Sequence, residues 1–140
     1  MTVTKSRLES SWVLFLLWTL TVLVAIVSLR FLVLGVPVAM PHMAHHELAR
    51  PIMLFLHLVL APIALALLPL QFSQKIRARR PKLHRWLGRL YAACILVSGL
   101  SSLGLAATAA AGPVAGAGFG LLAIFWLATT GRAVQLAMQR

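Results

Sequence analysis

Three long uncharged stretches organise the 140-residue chain. Residues 11–29, 51–74 and 90–131 contain no Lys, Arg, Asp or Glu. A helix needs about 20 apolar residues to cross a bilayer, so each of the first two stretches is long enough for one span. The third stretch is about twice that length, and Gly112-Pro113 near its middle predicts a helical hairpin of two spans.

These stretches predict an all-α fold, a four-helix transmembrane bundle formed by a single domain over residues 1–140. We expect the helices at about 12–34, 51–72, 86–111 and 116–138. Pro81 suits the first turn of a helix, so the third helix is expected to begin in the loop ahead of its span. A secretory signal peptide is the alternative for the first span, but the apolar segment exceeds the roughly 7–15 residues of such signals.

The distribution of charge along the chain predicts how the bundle is oriented in the membrane. The chain has 13 Lys and Arg against 2 Asp and Glu. Seven of the cations form a basic loop between the second and third spans: Lys75, Arg77, Arg79, Arg80, Lys82, Arg85 and Arg89. The further cations on that side of the membrane are Lys5, Arg7, Arg132 and Arg140, and those on the other side are Arg30 and Arg50. Basic segments favour the cytoplasmic side, so we predict an N-in, C-in, multi-pass protein of the bacterial inner membrane.

The basic loop carries more cations than orientation requires. We therefore expect it to bind anionic lipid at the cytoplasmic face, where each Lys or Arg contributes about 1 kcal/mol. A loop that acts only as a topology signal is the alternative. Nucleic acid is not an expected partner, because membrane phosphates already surround a short loop that is held against the bilayer.

Two histidines are candidate cofactor ligands. His57 lies within the second span, about 9 Å below its outer end, and an ionisable residue there indicates a functional site. The functional hypotheses for His57 are a haem b ligand, a proton relay or a quinone contact, and the alternative is a neutral imidazole bonded to a neighbouring helix. His84 lies among the cations at the opposite face, where it is either a ligand or a headgroup contact. One haem cannot bridge the two, so any haem sites are separate. A haem on His57 would need an outer-loop histidine or another protein chain as its second partner, and one on His84 would need another chain.

The loop before the second span combines imidazole and thioether side chains. This combination suits copper, and the soft thioethers favour Cu(I). The candidate ligands are Met40, His42, Met43, His45 and His46. The alternative is a loop that caps the second helix without binding a metal.

The remaining composition limits the classes of function. Glu9 and Glu47 are the two carboxylates and neither lies mid-membrane, so a carboxylate proton relay is not expected. The single Cys94 excludes an intrachain disulfide and a Cys-based zinc site. No catalytic constellation is present, and we do not expect an enzyme. The leading hypothesis is an accessory packing or assembly module, either a homo-oligomer or a subunit of a larger membrane complex. The alternatives are a cytochrome-like redox protein with His57 as haem ligand, and an outward-facing copper-handling protein.

A set of spaced motifs resembles a known family. The motifs are Phe55-x-His57, Pro69-x-Gln71-Phe72 and Arg80-Pro81-x-x-His84-Arg85-x-x-Gly88-x-x-Tyr91. They are similar to a family of predicted bacterial membrane proteins of unknown function, and the resemblance covers about residues 53–133. It implies a polytopic inner-membrane protein without an assigned activity.

Overall fold

The computed structural model describes residues 11–139, and these are helical almost throughout. The helices are α1 (Ser11–Ser28), α2 (Phe31–Leu34), α3 (Val36–Ala39), α4 (His45–Ala49), α5 (Pro51–Phe72), α6 (Gln74–Arg79), α7 (Pro81–Ala106) and α8 (Pro113–Met138). A 3-10 turn over Pro41–Met43 precedes α4. The predicted ligands and cations of the loops lie within this range, whereas Lys5, Arg7, Glu9 and Arg140 lie outside the described residues.

Within residues 11–139, four segments are long and apolar enough to cross a membrane, which confirms the predicted four-span, all-α fold. They are Trp12–Leu34, Pro51–Phe72, Pro81–Ala106 and Pro113–Met138. The N-in, C-in orientation stays a prediction from the charge distribution. We call the end formed by α6 and the start of α7 the basic end, and the end formed by residues 29–50 and the α7–α8 turn the histidine end.

The central pair of the bundle is α5 and α7. Helix α1 packs against α5, and α8 packs against α7. The core at the histidine end contains Phe31, Leu54 and Leu105, all nearly or fully buried. A second core, nearer the middle, contains Ala64, Cys94 and Ile95. Most large apolar side chains of α1 and α8 are exposed, as expected for helices whose outer faces contact lipid.

The first span is interrupted near its end, where sequence had predicted one helix over 12–34. Helix α1 ends at Ser28, and α2 starts at Phe31 after a turn. The Arg30 side chain makes two hydrogen bonds at this turn. Its Nη1 donates to the carbonyl of Val27 (3.1 Å), and its Nη2 donates to the carbonyl of Ala39 (2.6 Å). The guanidinium therefore ties the end of the span to α3.

The hairpin between the last two spans is wider than the sequence suggested. Helix α7 begins at Pro81, ahead of its predicted span, as that proline indicated, but it ends at Ala106 rather than at 111. Helix α8 begins at Pro113 rather than at 116. Residues 107–112 form the turn, where Gly112 has a φ of +92°, a backbone conformation that favours glycine. Pro113 then starts α8 at a position that needs no N–H donor. The alanines that the prediction placed in α7 are instead part of the turn.

Small residues are used for packing within the chain. A Cβ at Gly99 would lie 2.7 Å from the Leu127 side chain, and one at Gly116 would lie 2.6 Å from the carbonyl oxygen of Ala106. Close approach of α8 to α7 therefore depends on these two glycines. Association with a second copy of the chain stays a prediction from the sequence.

Candidate functional site: a histidine-lined cavity

A cavity of about 580 Å³ lies at the histidine end, between α5, α7 and α8. Its volume falls within the roughly 300–1,000 Å³ that is typical of sites for small molecules and cofactors. Four of the five histidines line it, namely His42, His45, His46 and His57. We refer to it as the histidine-lined cavity. It brings the loop ahead of α5, and α5 itself, together with residues of α7 and α8 that are far away in the sequence.

His57 is held in place by the central helix pair. Its Nδ1 lies 3.1 Å from the main-chain carbonyl oxygen of Ser98 on α7. Because a carbonyl oxygen only accepts, Nδ1 carries the proton that is donated, and Nε2 of the neutral ring keeps its lone pair. The bond to a neighbouring helix, which the sequence offered as the alternative to a functional role, is therefore present, and it leaves the other ring nitrogen for a ligand.

The walls of the cavity combine small and aromatic side chains. Ala61 on α5 and Ala106 on α7 both line it, and alanines of the α7–α8 turn continue this surface. Phe119 and Trp126 contribute aromatic rings from α8. Small side chains leave room between the helices, and aromatic faces offer stacking contacts. The shape and chemistry suit a flat, largely apolar group.

Two of the lining histidines are joined to the α7–α8 turn by Thr108. His45 Nε2 lies 3.1 Å from the Thr108 carbonyl oxygen, and the Thr108 hydroxyl lies 3.5 Å from His46 Nδ1. The two imidazole centroids are 3.8 Å apart. Burial, together with the neighbouring His45 and Arg50, lowers the pKa of His46 below its usual value of 6.5. His46, which is only 2% exposed, is therefore neutral at pH 7.

All five residues of the predicted copper set line the same cavity: Met40, His42, Met43, His45 and His46. Within residues 11–139, however, no group of three or more His, Cys, Asp or Glu side chains is placed to hold a metal ion. A copper ion here would depend on the Met sulfurs together with at most two imidazoles. Copper binding stays a prediction from the sequence.

His84 lies far from this cavity, in the first turns of α7 at the basic end. Its Nδ1 is buried and has no hydrogen-bond partner among the described residues, and the same holds for Nε2 of Gln71 at the end of α5. Three cations of the basic loop lie on α6 and three lie on the first turns of α7, and Arg80 lies between the two helices. All seven are exposed. Tyr91, about two helical turns further along α7, packs against the second core, as does Trp126 on α8.

One known protein family matches most of the chain, from α5 onward. The model of a family described as "Predicted membrane protein (DUF2306)" matches residues 54–140, which is more than half of the chain. The chain belongs to the DUF2306 family. This confirms the resemblance to a predicted membrane protein family of unknown function. The DUF2306 match includes His57, Gln71 and His84, whereas the loop histidines precede it. Neither a curated protein nor a solved structure matches the chain significantly.

Three residues at the cavity of this DUF2306 member were not assigned to a site from the sequence. Phe119 and Trp126 line the cavity, and Thr108 contacts two of the histidines that line it. A signal for Thr108 existed, because it is the one polar residue in the apolar run 103–128. No comparable signal marks Phe119 or Trp126, since aromatic residues are common in spans and their direction depends on how α8 packs.

Proposed function

We propose that this DUF2306 protein binds a b-type haem in the histidine-lined cavity and carries single electrons within the membrane. His57 ligates the iron in this proposal. The observation that supports it most is the bond from His57 Nδ1 to the Ser98 carbonyl, on a residue that also lines the cavity. Histidines that bind metals almost always donate their other N–H to a carbonyl or carboxylate, which fixes the ring and its tautomer.

The cavity supports a flat cofactor by its walls and its charges. Alanines and aromatic rings line it, and they suit the apolar faces of a porphyrin. Arg30 and Arg50 are the cations of the histidine end, and haem propionates are anionic. Arg30 and Arg50 would attract the anionic propionates, and Trp126 would offer an apolar contact to the porphyrin.

His42 is our candidate for the second residue that would hold the haem iron. It lines the cavity and is exposed, whereas His45 and His46 are both engaged by Thr108. His42 lies on the short 3-10 turn over Pro41–Met43, next to Met40 and Met43. A thioether is also an axial ligand in cytochromes, so Met43 is the alternative at this position.

Absorption spectroscopy of the purified full-length protein tests the proposal. After expression with added haem, the wild type is expected to show a Soret band. His57→Gln preserves a donor for the Ser98 carbonyl but removes the imidazole, so it is expected to lose the band. The matched control is His84→Gln, which alters a histidine outside the cavity and is expected to retain haem.

Two results would overturn haem binding. One is a wild type that stays colourless after haem supplementation, and the other is a band of equal intensity in His57→Gln. The second ligand has its own readout, because His42→Gln is expected to convert a six-coordinate low-spin spectrum to a five-coordinate high-spin one. If that spectrum is unchanged and Met43→Leu changes it, then the ligand is Met43.

The remaining parts of the proposal concern placement and partners. We propose a bacterial cytoplasmic membrane with the basic end inside, as the cation distribution favours. Labelling with an impermeant maleimide tests this, using Ala78→Cys at the basic end and Ala110→Cys at the histidine end, both exposed. The native Cys94 is buried within α7. Assembly as a homo-oligomer or as part of a larger complex also stays a proposal, and particle mass in mild detergent tests it.

A further inference from the structure

We propose that the basic end contains a phosphate-binding site built on Gln71 and His84, separate from the histidine-lined cavity and independent of haem. Its ligand is a phosphate group, carried either by the headgroup of an anionic lipid or by a soluble phosphate ester. The site combines two unpaired buried polar atoms with an excess of positive charge.

The first observation is the pair of unsatisfied atoms. Gln71 Nε2 and His84 Nδ1 are both shielded from solvent and have no hydrogen-bond partner in the described part of the chain. Buried polar groups are nearly always paired, so each such atom calls for an explanation. Gln71 Nε2 is a donor, and His84 Nδ1 becomes a donor when the imidazole is protonated there. Both therefore match an anionic acceptor.

The second observation is that both side chains lie on one helix interface. A Cβ at Gly88 would lie 3.2 Å from Gln71 Oε1, so the Gln71 amide lies directly against α7 at this level. His84 precedes Gly88 by four residues, one turn of the same face. Side chains on a helix lean toward its N-terminus, which directs His84 toward the basic end. Gly88 thus leaves the space in which the amide approaches α7.

The third observation is the local charge. The seven cations of the basic loop belong to the same end of the bundle as this interface, since α6 packs against α7 and carries three of them. Among residues 11–139 the one carboxylate is Glu47, which lies in α4 at the opposite end. The positive charge is therefore not neutralised by any described carboxylate, and an exogenous anion would neutralise it.

A phosphate group satisfies all three observations together. Its oxygens accept hydrogen bonds from several directions, so one group can accept from Gln71 and His84 at once. Arginine guanidinium groups bind phosphate through paired N–H donors, and exposed Arg77, Arg79 and Arg85 are available for this role. A buried water molecule is the competing occupant of the two polar atoms, and it leaves the excess charge unexplained.

Calorimetry on the full-length protein in neutral maltoside detergent tests the site. The probes are dioctanoyl phosphatidic acid, soluble glycerol phosphate, and dioctanoyl phosphatidylcholine as the control lipid. We expect phosphatidic acid to bind and Gln71→Met or His84→Gln to weaken it about tenfold, the size expected when one hydrogen bond to a charged group is lost. Gln135→Met is the matched control, since Gln135 is exposed and contacts Arg132 on α8.

The two probes distinguish the source of the phosphate. A lipid site binds phosphatidic acid at least tenfold more tightly than glycerol phosphate, and a soluble-ester site binds the two equally. If Gln71→Met and His84→Gln bind phosphatidic acid as the wild type does, then attraction is only diffuse or the polar atoms hold water, and the proposal is overturned. No binding of either phosphate probe overturns it as well.

A measurement on the wild type keeps the test valid if a variant fails to fold. Histidine ¹⁵N chemical shifts are recorded as phosphatidic acid is added, with His42 at the histidine end as the internal control. A saturable shift of the His84 signal without a shift of His42 supports the site. Unchanged His84 shifts at saturating lipid would contradict it.

Discussion

His57 and Ser98 connect the two central helices, because the imidazole Nδ1 on α5 lies 3.1 Å from the main-chain carbonyl oxygen on α7. Ser98 is fully buried at this point of the interface. Interhelical hydrogen bonds in membrane proteins contribute about 0.6 kcal/mol on average. The same bond therefore stabilises the bundle modestly and determines which ring nitrogen is left for a ligand. A packing role for His57 does not compete with a ligand role.

Replacing His57 by Phe is expected to lower the free energy of unfolding of the haem-free protein by about 0.6 kcal/mol. The cost is small because Ser98 O, in the middle of α7, keeps its helical partner when the imidazole is removed. Denaturation in mixed detergent micelles measures the change. His42→Phe is the control, because His42 is exposed, and it is expected to leave the stability unchanged. Equal losses in both variants would show that the His57 bond contributes nothing specific.

The spans were predictable from sequence, whereas their ends were not. Runs of uncharged residues determine whether a segment can cross a membrane, and this property is local. The end of α7 at Ala106 depends on a turn of alanines and Gly112, and hydropathy does not distinguish an apolar turn from an apolar helix. The interruption after Ser28 involves a bond from Arg30 to Ala39, nine residues away, which no local pattern reports.

The sequence predicted many of the residues of the candidate site, but not how they are arranged. Sequence identified His57 as the intramembrane imidazole and the loop residues as metal-type ligands, and it named a loop histidine as a possible partner of His57, but it gave no geometry for their meeting. Their meeting in one cavity depends on how the loop folds onto α7 and α8, through contacts such as His45 to Thr108. Such long-range contacts come from tertiary packing, and one sequence carries no direct sign of them.

Acidification is expected to destabilise the histidine end through His46. Burial, His45 and Arg50 lower its pKa in the folded protein below the usual value of 6.5, so the unfolded chain binds more protons between the two values. Stability is therefore fully present above about pH 6.5 and falls as the pH falls through this window. Thermal unfolding in detergent between pH 7.5 and pH 5 measures the loss.

His46→Asn provides the comparison for this pH dependence. Asparagine keeps a polar group near Thr108 but does not titrate, so the variant is expected to show a flatter pH profile than the wild type. The exposed His42→Asn is expected to keep the wild-type profile. Parallel profiles for the wild type and His46→Asn would assign the acid sensitivity to another group.

The hydroxyl of Ser98 is expected to be dispensable for stability. Its Oγ is buried and has no hydrogen-bond partner within residues 11–139, which is unfavourable, whereas the bond to His57 uses the main-chain carbonyl. Ser98→Ala is therefore expected to raise the free energy of unfolding by about 1 kcal/mol. Ser101 is the matched control, since its Oγ donates to the Val97 carbonyl at 2.8 Å, and Ser101→Ala is not expected to stabilise. A destabilised Ser98→Ala would indicate an unseen partner for the hydroxyl.

Gly116 and Gly118 test how closely α8 must approach α7. A Cβ at Gly116 would lie 2.6 Å from the Ala106 carbonyl oxygen, which belongs to backbone and cannot rotate away, whereas nothing lies within 4 Å of a Cβ at Gly118. Gly116→Ala is therefore expected to cost about 1–3 kcal/mol by overpacking. Gly118→Ala is expected to be neutral or to stabilise by up to about 1 kcal/mol through higher helix propensity. Unfolding in mixed micelles compares the two. Equal stability of the two variants would contradict the close α7–α8 contact. Because Ala106 also lines the histidine-lined cavity, Gly116→Ala is further expected to weaken haem retention.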